Sequence, residues 1–361
     1  MRIAFTLLAV ILFFYAVIAA KDFLYPIVLG VLFGYLLYPA ACFFEKHGAP
    51  RILANLLSIL IFLLAVGAGL FFIYKQAGSF IDDFPVYKLK ALANIDRLEN
   101  AIEQRFGMSD LRLVDFFRIR VRHLFDVGNT MMNRTFTSTA GTLFRLGILP
   151  VFMFLFLFYR TKLAIFILKL VPSEKKLRAV RVLKEFARVV PSYMGGVSTV
   201  VLILAVINSS GLLIIGLDHA IVFGVISALC NFVPYFGTLI GAFFPFMFAL
   251  LTGDDPMLAV QVIIFYIIIQ FVENNILTPN IVGNSLRLNP MVIILGIIGG
   301  GMVWGIPGMF AIVPLLAMVN ILGEQFTALK PYAYLLGVKG ARKHSITIAN
   351  IRRFIKRFSR R

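Results

Sequence analysis

The chain has 361 residues, 60% hydrophobic and only 14% charged, against roughly 45–50% and about 25% in an ordinary soluble domain. A fold of this length has too little interior to bury that excess, so lipid must cover part of it, and the expected class is an all-α polytopic membrane protein. Lys and Arg number 35 against 17 Asp and Glu, a net +18, but the surplus lies between and after the apolar runs, where membrane loops concentrate it, so nucleic acid is not the expected partner. Cys42 and Cys230 lie in or beside apolar runs and make neither a disulfide framework nor a metal-ligand spacing.

Residues 3–20 form the first apolar run. Ala19-Ala20 imitates a signal-peptide cleavage site, but the run exceeds the roughly 7–15 residues of a signal core and a second run follows at once, so a retained helix is expected. Runs 23–44 and 52–74 each reach the about 20 residues that a span needs. Lys21-Asp22 reads as a tight polar turn and 45–51 as a short basic loop, giving a three-span unit over residues 1–74.

Residues 75–140 differ in kind. They hold Asp82, Asp83, Asp96, Glu99, Glu103, Asp110, Asp115 and Asp126. Leu89, Leu92, Ile95, Leu98, Ile102 and Phe106 fall at steps of three and four, the mark of an amphipathic helix, and Val114, Phe117, Val121 and Leu124 repeat it after Gly107. The segment predicts an extracytoplasmic helical insert, packed and without chemistry of its own.

Residues 142–159, 195–217 and 256–272 complete six full spans of the expected core, 141–336. Two further apolar regions do not fit as single spans and are read as broken hairpins, 219–252 and 290–323. The first is interrupted by NFVPYFGTLIG, which holds Asn231, Pro234, Tyr235, Gly237 and Gly241; the second by GGGMVWGIPG, which holds Gly299, Gly300, Gly305 and Gly308. Proline ends a helix by withholding a donor, glycine lets backbone turn or approach, and Asn231 and Tyr235 offer hydrogen bonds there. Irregular backbone at membrane depth is tolerated only inside protein or along a wet cavity, so two such breaks resemble the discontinuous helices of secondary transporters. The alternative is a pair of full spans joined by an ordinary turn near one face.

Basic loops set the orientation. Residues 160–188 carry nine cations against Glu174 and Glu185, and the tail 337–361 carries nine with no acid, so both are expected in the cytoplasm. Asp254-Asp255 lies in a loop without cations and is expected outside, with residues 75–140. One hairpin then enters from each face.

The sixth span ends in QFVENNILTPNIVGNSLRLNP. Glu273, followed by Asn274 and Asn275, is costly in an apolar flank unless it meets water or a partner. It could carry a proton, ligate a cation or accept a substrate hydrogen bond; a carboxylate solvated at a helix end is the plainer alternative. Asn280, Asn284 and Asn289 are expected in turns.

Taken together, NFVPYFGTLIG and QFVENNILTPNIVGNSLRLNPMVIILGIIGGGMVWGIPGMFAIVPL resemble the signature of the autoinducer-2 exporter-like family of bacterial membrane proteins, and the order of spans, insert and basic loop is similar over nearly the whole chain. The resemblance implies a multi-spanning transporter of the bacterial cytoplasmic membrane. Some relatives are associated with export of autoinducer-2 in quorum sensing, others with sodium/proton antiport. The matching positions are Pro234, Tyr235, Gly237, Gly241, Glu273, Asn274, Pro279, Gly283, Pro290, Gly299, Gly300, Gly305, Gly308 and Pro314; Gly301 is an additional glycine, and Asn280 stands where many relatives carry arginine. The expected partners are membrane lipid and a small-molecule or ion substrate, with homo-oligomerisation open, and no cofactor is expected. No catalytic constellation is visible: His47, His123, His219 and His344 are scattered, and no phosphate-binding glycine loop occurs. A sodium/proton antiporter, a channel or a scaffold protein are the alternative readings.

Overall fold

The computed structural model describes residues 2–106, 115–116, 118–123, 125–127, 130, 139–283 and 288–338. The expected tail segment 341–361, and Asn284, lie outside the described residues. Helices α1 (Arg2–Ala19) and α2 (Lys21–Lys46) follow one another closely, and the Lys21-Asp22 pair opens α2, where Asp22 complements the positive end of the helix dipole. A turn at Gly48, with φ of 91°, leads to α3 (Arg51–Phe106).

Helix α3 differs from the layout expected from sequence. It runs unbroken for 56 residues, so the third span and the first amphipathic segment of the insert are one helix. The change from apolar to charged sequence after Tyr74 alters which solvent suits the side chains, not the backbone preference. Lys75 and Gln76 are good helix formers, and Gly78 and Pro85 further on lie within the helix without ending it. Further out, Arg118 ties the two parts of the insert together through Asp96 at 2.7 Å and Glu99 at 2.6 Å, and its neighbour Asp115 steadies it at 3.1 Å.

Beyond the insert, the helices are α4 (Thr139–Leu170), α5 (Lys176–Ile215), α6 (Ala220–Cys230), α7 (Phe236–Thr252), α8 (Pro256–Val272), α9 (Thr278–Ile281), α10 (Pro290–Trp304), α11 (Ile306–Gln325) and α12 (Lys330–Leu336). Asp255 caps α8 by accepting from the Met257 amide at 2.9 Å, and Asn289 caps α10 through Met291 at 3.1 Å; each is followed by a proline at the first helical position.

Among the described residues, six helical stretches are long and apolar enough to cross a membrane: Lys21–Lys46, Arg51–Arg97, Gly147–Leu170, Ser173–Ile215, Pro256–Ile281 and Ile306–Gln325. The protein is an all-α polytopic membrane protein. The number of such helices among the described residues equals the number of spans expected, but the membership shifts. The second arm of the second hairpin, α11, has 20 residues and can cross alone, whereas the first apolar helix falls among the shorter ones. Large apolar side chains such as Ile214, Leu239 and Met302 point outward, as lipid-facing residues do.

The chain divides into two compact units: Met1–Val28, Tyr159–Tyr193 and Asn284–Arg361 in the first, Leu29–Phe158 and Met194–Gly283 in the second. In the first, α10 packs on α11 so closely that a Cβ on Gly308 would lie 2.0 Å from the Gly300 carbonyl oxygen. The Trp304 indole donates to the Val17 carbonyl at 3.2 Å, and the Asn289 amide donates to Leu336 at 2.7 Å. The second unit has one core around Met153 and Leu157, against Leu37, Ala41 and Ile59, and another around Phe80, Tyr87, Phe223 and Tyr266.

The outer half of α3 grips the α6–α7 hairpin at both ends. Asp83 meets the His219 ring at 3.3 Å where α6 begins. The Asn94 amide donates to the Leu251 and Gly253 carbonyls at 3.0 and 2.9 Å where α7 ends, and Lys90 reaches Asp254 at 3.5 Å. The acidic insert and the Asp254-Asp255 loop therefore share one end of this unit.

Candidate functional site

The break between α6 and α7 spans Asn231 to Tyr235. Helix α6 has 11 residues, about 16 Å, roughly half of the about 30 Å of hydrocarbon in a bilayer, so the hairpin turns inside the apolar layer if it starts at its edge. The turn is tight. The Phe236 amide donates to the Pro234 carbonyl at 2.8 Å across Tyr235, whose φ of 67° and ψ of −44° make a γ-turn of the strained, positive-φ form. Pro234 helps to end α6 because it has no amide to extend the ladder. Gly237 is required by the return of the chain: a Cβ there would lie 2.0 Å from the Cys230 carbonyl oxygen. Four residues on, a Cβ on Gly241 would lie 2.7 Å from the Ser227 hydroxyl, so the two arms touch along backbone.

Opposite the turn, α8 does not end. A π-helical turn, Glu273–Leu277, carries it into α9 and the whole run reaches Ile281. The extra residue of a π-turn cannot keep the α-helical hydrogen-bond ladder, and such turns are frequent at functional sites. Glu273 opens it. The sequence-level alternative of a solvated helix-end carboxylate does not describe this environment, since Glu273 is 7% exposed and accepts a hydrogen bond from the Asn231 side-chain amide at 2.7 Å.

These two residues line a recess with Leu204, Asn208, Ser227, Thr238, Tyr266, Ile269 and Gln270. The recess is small, with room for about one water molecule. Asn208 and Ser227 are buried and lie 3.4 Å apart, amide to hydroxyl. Among the described residues the Asn208 carbonyl oxygen has no hydrogen-bond partner, and the Tyr266 hydroxyl, near Ser227, makes no well-aligned bond. A buried polar atom without a partner in a membrane protein is costly, and a recess that gathers several is suited to a polar guest.

Sequence reasoning singled out Asn231 and Glu273, which the fold brings together, but not Asn208, Ser227, Tyr266 or Gln270. The last two were readable: Tyr266, Gln270 and Glu273 stand at i, i+4 and i+7, one face of a helix. Other expected site residues lie elsewhere. The Tyr235 side chain is exposed. Asn274 and Asn275 are exposed, and Asn275 bonds back to the Phe271 carbonyl at 2.8 Å. Pro279 is exposed at the start of α9, and Asn280 bonds back to Ile276. In the first unit Gly300 and Gly308 form the close α10–α11 contact, Gly305 makes the turn with φ of 66°, and Gly299 faces open space.

Residues 7–328 match the family model described as AI-2E family transporter. Among curated proteins the chain is 27% identical to the putative transport protein YrrI of Bacillus subtilis over 318 residues, covering 86% of this chain and 88% of the relative. It is 24% identical to the AI-2 transport protein TqsA of Escherichia coli over 326 residues, 88% and 90% of the two chains. A putative transport protein of Thermotoga maritima is 25% identical over 334 residues, covering 89% and 94%.

Proposed function

The chain belongs to the AI-2E transporter family, and on that premise we propose that it is a secondary transporter that exports a small molecule of the autoinducer-2 type across the bacterial cytoplasmic membrane, driven by an ion gradient. The observation that carries the reading is the bond from Asn231 to Glu273, which joins the tip of a broken hairpin to a buried carboxylate in a π-turn. A carboxylate in that position changes its hydrogen bonding when it gains a proton or a cation: protonated, it keeps an acceptor oxygen but gains an O–H that needs an acceptor of its own, and a cation on its oxygens competes with the Asn231 amide. That gives gradient and hairpin a shared switch. Asn231 and Glu273 are the residues proposed to meet the travelling species, with Pro234, Tyr235, Gly237 and Gly241 shaping the break. Asn274, Asn275 and Pro279 frame the π-turn, and Gly299, Gly300, Gly305 and Gly308 shape the second hairpin.

The size of the recess favours a second reading, a sodium/proton antiporter. As it stands it suits an ion or a water rather than a sugar-sized solute, and the Asn208 oxygen is available to a cation. One experiment separates the readings: flux of metabolites and of ions through proteoliposomes holding only this protein, under imposed pH and sodium gradients. Saturable, gradient-driven efflux of an organic solute supports the exporter. Ion exchange without solute movement supports the antiporter, and ohmic current without saturation rejects both in favour of a channel. In Glu273→Gln, which keeps the shape but loses the charge, flux should no longer respond to either gradient; unchanged gradient-driven flux would remove Glu273 from the mechanism.

A further inference from the structure

The elbow where α4 hands over to α5 has two properties that one solvent cannot satisfy. Lys162, Lys169, Lys176, Arg181, Lys184 and Arg188 are exposed, whereas the acids of this stretch are Glu174 and Glu185 alone. The same elbow exposes Phe166, Leu170 and Leu177, the last at 78%. Water would leave those apolar side chains uncovered, and hydrocarbon would strand the cations. The boundary between the two suits both, because long basic side chains lay their stems on apolar surface and keep their heads in the polar layer.

Helix geometry narrows the partner further. On α5, Leu177, Arg181, Lys184 and Arg188 stand at i, i+4, i+7 and i+11, one exposed stripe, while Ala179, Val182 and Val190 are buried on other faces. A zwitterionic surface would cover the leucines but leave the row of cations unbalanced; a negatively charged one neutralises them. We propose that this elbow is a docking surface for anionic phospholipid, with Arg181, Lys184 and Arg188 meeting headgroup phosphates and Leu170 and Leu177 entering the acyl boundary. The proposal concerns the first unit only and is independent of what the protein carries.

The test uses the full chain with Cys42→Ala, Cys230→Ala and Leu177→Cys, labelled with a fluorophore at the new thiol and reconstituted in vesicles of phosphatidylcholine mixed with phosphatidylglycerol. Spin-labelled phosphatidylglycerol should quench the label more strongly than spin-labelled phosphatidylcholine does. High salt should shrink that preference, and Arg181→Gln with Lys184→Gln and Arg188→Gln should abolish it. Arg181→Lys with Arg188→Lys should retain it, which also controls for folding if the neutralised variant fails to assemble. Equal quenching by the two lipids in the parent protein would overturn the proposal. So would quenching by aqueous iodide and by neither lipid, which would leave the elbow to a soluble acidic partner.

Discussion

Asn231, at the tip of a broken hairpin, donates its amide to Glu273, 42 residues further along the chain, on a helix that changes register at that residue. Removing the donor leaves a buried carboxylate oxygen without its partner, which costs about 1–3 kcal/mol. Asn231→Ala should therefore lower the unfolding midpoint of the purified protein, and the loss should shrink in a Glu273→Gln background. A double-mutant cycle in a graded denaturing-detergent titration reads the difference, and independent effects would mean that the two side chains do not meet.

The motif glycines should separate by what surrounds them. Gly237→Ala would drive a Cβ against the Cys230 carbonyl, a backbone atom that cannot rotate away, and overpacking of this kind costs about 1–3 kcal/mol or more. Gly299→Ala meets nothing within 4 Å. The first variant should give little folded protein by size-exclusion chromatography; the second should purify normally. Equal behaviour would show that the hairpin packs otherwise.

How much of this was legible beforehand follows from which residues carry local signals. The interruption at 231–235 could be read because Pro234 and Gly237 act on their own backbone. The unbroken α3 could not: charge after Tyr74 mimics a domain boundary, and Gly78 and Pro85 read as helix ends although the helix continues through both. The π-turn at Glu273 has no compositional mark, so the end of the apolar run passed for the end of the span. Asn208 and Ser227 sit alone in separate apolar segments, and only the packing of α5 on the hairpin makes them neighbours of Glu273.

Sidedness gives a third prediction. Basic loops stay in the cytoplasm, so cysteines at Glu103 and Lys176 should react with an impermeant reagent from opposite faces of the cell membrane. Cysteines at Lys90 and Asp254, whose native side chains meet at 3.5 Å, should cross-link with each other and react from the same face as Glu103. Labelling of Glu103 and Lys176 from one face would overturn this topology.

The tail makes a fourth. Ile348, Ile351, Ile355 and Phe358 fall at helical spacing among arginines and lysines, a pattern suited to a charged membrane surface. Deleting residues 341–361 should leave flux within about twofold of the full chain, since surface attachment adds affinity rather than a pathway. Complete loss of flux in a well-folded truncation would assign the tail a direct part in transport.

Helix α3 contains one proline, Pro85, flanked by residues that touch His219: Asp83 at 3.3 Å and, through ring contacts, Phe80 on one side and Tyr87 on the other. A proline inside a helix removes one hydrogen bond and crowds the preceding turn, so bending is easiest there. A long rod thus has its soft joint where it is clamped to the hairpin rather than at either tip. Load applied at the far end of the insert would be converted at that joint into tilt of the hairpin base, and the stretch from Arg51 to Pro85 would work as a fixed mast.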